Sequence, residues 1–199
     1  MSVRTQAILF LILIYIPISE RPHAYAIVIT PSSSQVQAAI QKGQSAVRSQ
    51  TPPSQLYWRF GPSGSLKPHG LIMTKLGGVA VLSAHYAFRS AVPSSQDLAR
   101  VTKESDLQLS VTVFGAFPEF AVDSYILLKQ GTHLIKPARV RSDARAHRSE
   151  VWPDDPPFQA KIVAFFSYGT FDPLASTTVF VFPGEGGEVR FELDFSKIP

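Results

Sequence analysis

Between residues 161 and 195 the chain reads as three strands, KIVAFF, TTVFVF and EVRFELDF. The last alternates strictly, with Val189, Phe191, Leu193 and Phe195 on one face and Glu188, Arg190, Glu192 and Asp194 on the other. A period of two of that kind predicts a strand with one face on a core and one in water. The first two are apolar on both faces, which places them toward the middle of a sandwich. Pro183, Gly184, Gly186 and Gly187 supply the turn chemistry for a reversal between the second and third strands. The same period runs upstream. Leu107, Leu109, Val111 and Val113 alternate with Gln108, Ser110 and Thr112, and the apolar run 125–129 turns at Gln130 and Gly131 into 132–136.

The front of the chain has a different rhythm. Residues 27–30 form a short β-like run stopped by Pro31, and Ser32, Ser33 and Ser34 offer N-caps for a helix. Val36, Ala39, Ile40, Gly43 and Val47 then make a narrow apolar stripe at helical spacing. Gly43 sits on that stripe, where Ala would serve a helix better, so the expectation is close approach of another backbone. Residues 56–60 and 71–75 read as strands. Residues 76–91 fit a buried helix better than a strand, through Leu76, Val79, Ala80, Ser83, Tyr86 and Ala87. Ser94 followed by Asp97 has the capping-box spacing for a second short helix.

Residues 1–26 look like a secretory signal. Arg4 is the positive start, 7–18 (AILFLILIYIPI) the apolar stretch, and Ala24-Tyr25-Ala26 the cleavage site. The apolar stretch falls short of the roughly 20 residues that span a bilayer. Cleavage would start the mature chain at Ile27, in the periplasm or outside the cell; retention as an anchor is the alternative. Composition adds limits. Of 199 residues 45% are hydrophobic and 17% charged, a globular balance. The net charge of +4 and pI near 9.4 favour loose attraction to anionic surfaces. The absence of cysteine removes disulfides, thiolate metal sites and cysteine nucleophiles together.

LQLSVTVFG, then DSYILLKQGTHLIKP, then the C-terminal hairpin resemble immunoglobulin-like domains of secreted bacterial proteins, over roughly 106–199. The front part, ITPSSSQVQAAIQKGQ followed by LIMTKLGGVAVLSAHYAFR, is similar to uncharacterised bacterial envelope proteins. The Cys…Trp…Cys signature of antibody-type domains is missing. The resemblance implies an exported location and a sandwich shape, and carries no reaction with it.

The strongest candidate chemistry is basic: Lys136, Arg139, Arg141, Arg145 and Arg148, with His147 beside them. On a strand Arg139 and Arg141 share a face; on a helix Arg145 and Arg148 would. Such a cluster suits carboxylate, phosphate or sulfate through charge-assisted hydrogen bonds. The competing reading is a solvated surface, partly neutralised by Asp143 and Glu150, with arginine packed on Trp152. Tyr57, Trp58 and Phe60 are a stacking platform for sugar rings or, more simply, core. His85 and Arg89 lie about one helical turn apart, but no G-x-S-x-G elbow accompanies them, and Gly61-Pro62-Ser63-Gly64 has the wrong spacing. His69, His133 and His147 are scattered singly, without metal-ligand spacing. Asp154 and Asp155 alone fall short of a calcium cage. The glycines at 184–187 open a strand where a phosphate loop opens a helix.

The sequence therefore predicts a mainly β, α+β protein. A signal peptide at 1–26 precedes an N-terminal part with two or three short helices at 27–105 and an immunoglobulin-like antiparallel β-sandwich at 106–199. Its expected role is non-catalytic binding of an envelope protein partner, at a strand edge or through loops, with no cofactor, metal or nucleic acid. The alternatives are an envelope hydrolase centred on His85 or His147, and a binder of an anionic ligand, polymer or lipid surface through 139–148.

Overall fold

The alternations at 107–113 and 189–193 become the inner faces of two antiparallel sheets that share one hydrophobic core, while Phe195, expected to continue the last strand, opens a short 3₁₀ turn and is buried in the same core. The computed structural model describes residues 26–64, 66–185 and 187–199, so the expected signal peptide lies, up to residue 25, outside the described residues. In chain order the strands are β1 (Trp58–Phe60), β2 (His69–Met73), β3 (Asp106–Gly115), β4 (Tyr125–Gln130), β5 (His133–Ile135), β6 (Arg139–Ser142), β7 (His147–Arg148), β8 (Phe158–Ser167), β9 (Ser176–Phe182) and β10 (Val189–Asp194). The helices are α1 (Ser33–Arg48), α2 (Lys75–Ala87) and α3 (Ser95–Thr102). The protein is thus mainly β, with three α-helices among the described residues.

The first sheet has the order β1-β2-β3-β8-β6, and β7 pairs with β8 beside β6. The second has the order β10-β9-β4-β5. The two strands read as apolar on both faces, β8 and β9, are interior strands, where hydrogen bonding on both edges suits β-branched and aromatic residues. Alternation decides which residues go inside. Leu107, Leu109 and Val111 of β3 face Ile162, Ala164 and Phe166 of β8 in register, and all six are fully or almost fully buried. From the other sheet Ile126, Leu128, Val179 and Val181 close the core. Phe191 of β10 meets Phe60 of β1 edge to face, with centroids 5.0 Å apart, and ties the two sheets at one side.

Two sequence expectations need correction. Residues 27–30 form no strand; Pro31 ends the run before it finds a partner, and Ile27 serves as a core plug, 2% exposed. Residues 56–60 are extended only from Trp58, because 53–56 wind into a short 3₁₀ turn begun by Pro53.

The helices build a second, smaller hydrophobic cluster of Ala39, Ala46, Leu56, Val79, Ala80, Val81 and Ala84. Their ends follow the caps in the sequence. Ser32 with Gln35 and Ser94 with Asp97 form capping boxes, and the Thr74 hydroxyl accepts the N–H of Gly77. A Cβ on Gly43 would lie 2.1 Å from the carbonyl oxygen of Ala80, so α1 and α2 touch backbone to backbone there. β1 and β2, from the part of the chain before residue 106, extend the sheet that β3 and β8 begin. The first sheet therefore draws strands from both sides of that boundary.

Candidate functional site

The basic stretch takes its form from β6. Pairing with β8 sets Arg139 opposite Phe165 and Arg141 opposite Val163, while the buried residues Ile162 and Ala164 are out of phase with them. Both arginines therefore stand on the outer face, as strand alternation requires. The guanidinium carbon of Arg139 lies 3.8 Å from the centre of the Phe165 ring, and that of Arg141 lies 6.0 Å from it. Stacking occupies the flat face of a guanidinium and leaves N–H donors at its edge. Among the described residues the ion pairs are Arg100–Asp97, Arg190–Glu188 and Lys197–Asp194, and none involves Lys136, Arg139, Arg141, Arg145 or Arg148. Asp143, the nearest acid in sequence, accepts the backbone N–H of Lys161 at 2.8 Å.

The other predicted cations diverge. Lys136 is exposed just beyond β5, and Arg145 is exposed in the turn between β6 and β7. Arg148 pairs with Phe158, out of phase with Gln159 and Lys161. It stands on the opposite side of the sheet, its guanidinium carbon 3.9 Å from the centre of the Trp152 ring. The helical alternative that would align Arg145 with Arg148 is not realised. Ala146 turns inward, is 8% exposed and donates its N–H to Pro118 at 2.7 Å, after which β7 resumes pairing with β8.

Folding brings in residues that the linear pattern does not connect. Arg59, Leu71, Ser110, Val163 and Arg141 form one row across β1, β2, β3, β8 and β6. At about 4.8 Å per strand, the backbones of the two arginines at its ends stand roughly 19 Å apart. The neighbouring row holds His69, Thr112 and Lys161, and His147 stands opposite Gln159 on the same face. A cleft of about 960 Å³ lies over this end of the sheet, between the turn at 61–64 and the segment 143–150. Arg59, His69, His147 and Lys161 line it together with Asp143 and Glu150. Arg59, His69 and Lys161 carry no signal in sequence beyond their separate places on strands, because strand order alone makes them neighbours.

The remaining candidates separate. His85 is exposed near the end of α2, while Ser83 is buried in the helical layer with no hydrogen-bond partner among the described residues. Ser63 and His147 line the same cleft, yet no hydrogen bond among the described residues joins a histidine to a serine or a carboxylate. The His69 ring bonds through Nδ1 to the carbonyl of Lys67 at 2.8 Å, which leaves Nε2 toward solvent or a ligand. No group of three metal-capable side chains occurs among the described residues. Tyr57, Trp58 and Phe60 divide three ways: Phe60 is core, Tyr57 packs on the helical cluster, and Trp58 is 39% exposed. At the helix end of the sheet Tyr168 is buried with an unpartnered hydroxyl, and burial pushes its pKa up.

No family model matches the chain, and no curated protein or solved structure is significantly similar to it.

Proposed function

We propose that this protein is a non-catalytic binding module, exported after cleavage of the 1–26 segment, with its sheet pair forming an immunoglobulin-like sandwich that presents the outer face of the first sheet to a protein partner. The partner contributes an acidic extended segment that lies across the strands, from Arg139 and Arg141 toward Arg59. The observation that carries this reading is Arg139, stacked on Phe165, with Arg141 beside it on the same face and no carboxylate partner for either among the described residues. A guanidinium held over a ring has lost much of its side-chain freedom before binding, so less is lost when an acid docks. Edge pairing by strand addition receives less support. β6 has four residues, and the inward turn at Ala146 interrupts the edge before β7, a usual way to blunt strand addition.

The test is titration of a fluorescent glutamate-rich peptide at low and at moderate salt. The wild type should bind at low salt and weaken steeply as salt rises, because screening acts over about 8–10 Å at physiological ionic strength. The double variant Arg139→Ala, Arg141→Ala, with unchanged thermal melting, should bind at least about tenfold more weakly, the equivalent of 1.4 kcal/mol. Equal binding by the variant would sink the proposal. Preference for anionic vesicles over the peptide would replace the protein partner by a lipid surface. Detection of Ile27 as the first residue of the secreted protein by mass spectrometry checks the export step.

A further inference from the structure

A second cleft, of about 560 Å³, opens where α1, the 3₁₀ turn at 53–56, the start of β1 and the start of α2 meet. Its character is opposite to that of the sheet face. Ala38, Leu56, Tyr57, Trp58 and Leu76 give it an apolar wall. Trp58 is there because β1 is an edge strand. Its register partner is the buried Ile72, but no further strand covers it, and the ring remains 39% exposed. The volume falls within the about 300–1,000 Å³ typical of small-molecule pockets, which are mostly apolar with a few polar groups that fix orientation.

The charged side chains of this cleft are cations, and Pro199 lines it on the far side, its oxygen taken up by the Thr74 hydroxyl at 2.9 Å. Lys42 on α1 and Arg59 on β1 line it, and no aspartate or glutamate does. Lys42 forms no ion pair among the described residues. An apolar wall with Lys42, unpaired among the described residues, at its border matches a ligand with a hydrocarbon or aromatic body and one acidic head group. A neutral apolar molecule would leave Lys42 without a counter-charge, and a small inorganic anion would leave the indole and Leu76 in water.

We infer that this cleft binds a small amphipathic acid, with its apolar body against Trp58 and Leu76 and its carboxylate or comparable anionic head at Lys42. The site is separate from the acidic-partner surface in every residue except Arg59, and Trp58 and Lys42 take no part in that surface.

The chain contains two tryptophans, Trp58 and Trp152, so Trp152→Phe leaves Trp58 as the sole indole reporter. Decanoate, kept below its micelle concentration, should shift the emission of Trp58 to shorter wavelength in a saturable titration. Decanol, of equal chain length without the charge, should bind at least about fivefold more weakly. In the same background Lys42→Ala should weaken decanoate about five- to tenfold, as expected for loss of a charge-assisted hydrogen bond, and leave decanol unchanged. Leu76→Ser should weaken both. Each variant is checked for an unchanged thermal melt, and in the wild type the indole N–H resonance of Trp58 gives an independent reading by NMR. Arg139→Ala, Arg141→Ala should bind decanoate as wild type does, so failure of the acidic-partner proposal leaves this one standing, and the reverse. Equal affinity for decanoate and decanol, indifference to Lys42→Ala, or no saturable response would overturn it.

Discussion

The sheet pair and the helical layer reach burial by opposite means. The sheets enclose bulk, with Phe120, Phe166, Phe195, Leu107, Leu109, Ile126 and Leu128 at 0–1% exposure. The helices instead place Ala39, Gly43, Ala46, Ala80 and Ala84 against one another and exclude water by proximity. Their glycines show the contrast. A Cβ on Gly70 or Gly115 would meet the ring of Phe60 or Phe120 at 2.2 Å, so at these two strand positions glycine makes room for an aromatic side chain. At Gly43 the nearest atom is a carbonyl oxygen, so where α1 crosses α2 glycine makes room for backbone. A bulky core loses stability when atoms are removed, whereas a close-contact interface loses it when atoms are added.

That difference sets the sign and size of several substitutions. Phe191→Ala should cost about 3–5 kcal/mol in a denaturant titration, since it empties the space beside Phe60 in the shared core. A loss below 1 kcal/mol would show that the sheets do not depend on this contact. Gly43→Ala adds a methyl group and raises helix propensity by up to about 1 kcal/mol. It should still destabilise by a net 1–3 kcal/mol or so, because α1 must move off Ala80. Stabilisation by Gly43→Ala would remove the basis of the comparison.

Ser83→Ala should go the other way. The buried hydroxyl has no partner among the described residues, and its removal from α2 should be neutral or stabilising by about 1 kcal/mol. A marked loss would mean that this hydroxyl has a partner after all, such as a buried water. At the rim of the layer, Asp97 accepts hydrogen bonds from the hydroxyls of Ser94, at 2.7 Å, and Tyr86, at 2.7 Å, and these hold its carboxyl below the usual range. A carboxylate depressed in the folded state stabilises above its unfolded pKa, and the contribution is lost as pH falls through the folded pKa. Asp97→Asn should therefore melt earlier than wild type at neutral pH, and the gap should close in acid. A gap independent of pH would assign the effect to shape alone. Arg190→Ala breaks the exposed pair with Glu188 on the outer face of β10 and should change stability by less than about 1 kcal/mol. A loss as large as that of Phe191→Ala would reverse the face assignment of β10.

The sequence by itself determined what depends on near neighbours in the chain. Alternation assigns Val189, Phe191 and Leu193 to the inner face because successive strand residues point to opposite sides. Ser32 and Ser94 start their helices because a side-chain oxygen satisfies an N–H three residues on. The shared face of Arg139 and Arg141 follows from the same period of two. The tertiary structure alone decided what depends on strand order and on which surfaces meet. Arg148 stands on the other face from Arg139 and Arg141 because the edge continues as strand, with its period of two kept through β7, where a helix would have set it beside Arg145. Arg59 and Arg141, far apart in the chain, become the two ends of one row because β1, β2, β3, β8 and β6 pair in that order. Trp58 stays exposed, though its register partner Ile72 is buried, because β1 is the last strand of its sheet. Local periodicity fixes the direction of a side chain relative to its own backbone; its neighbours are fixed only when the sheets and helices close on one another.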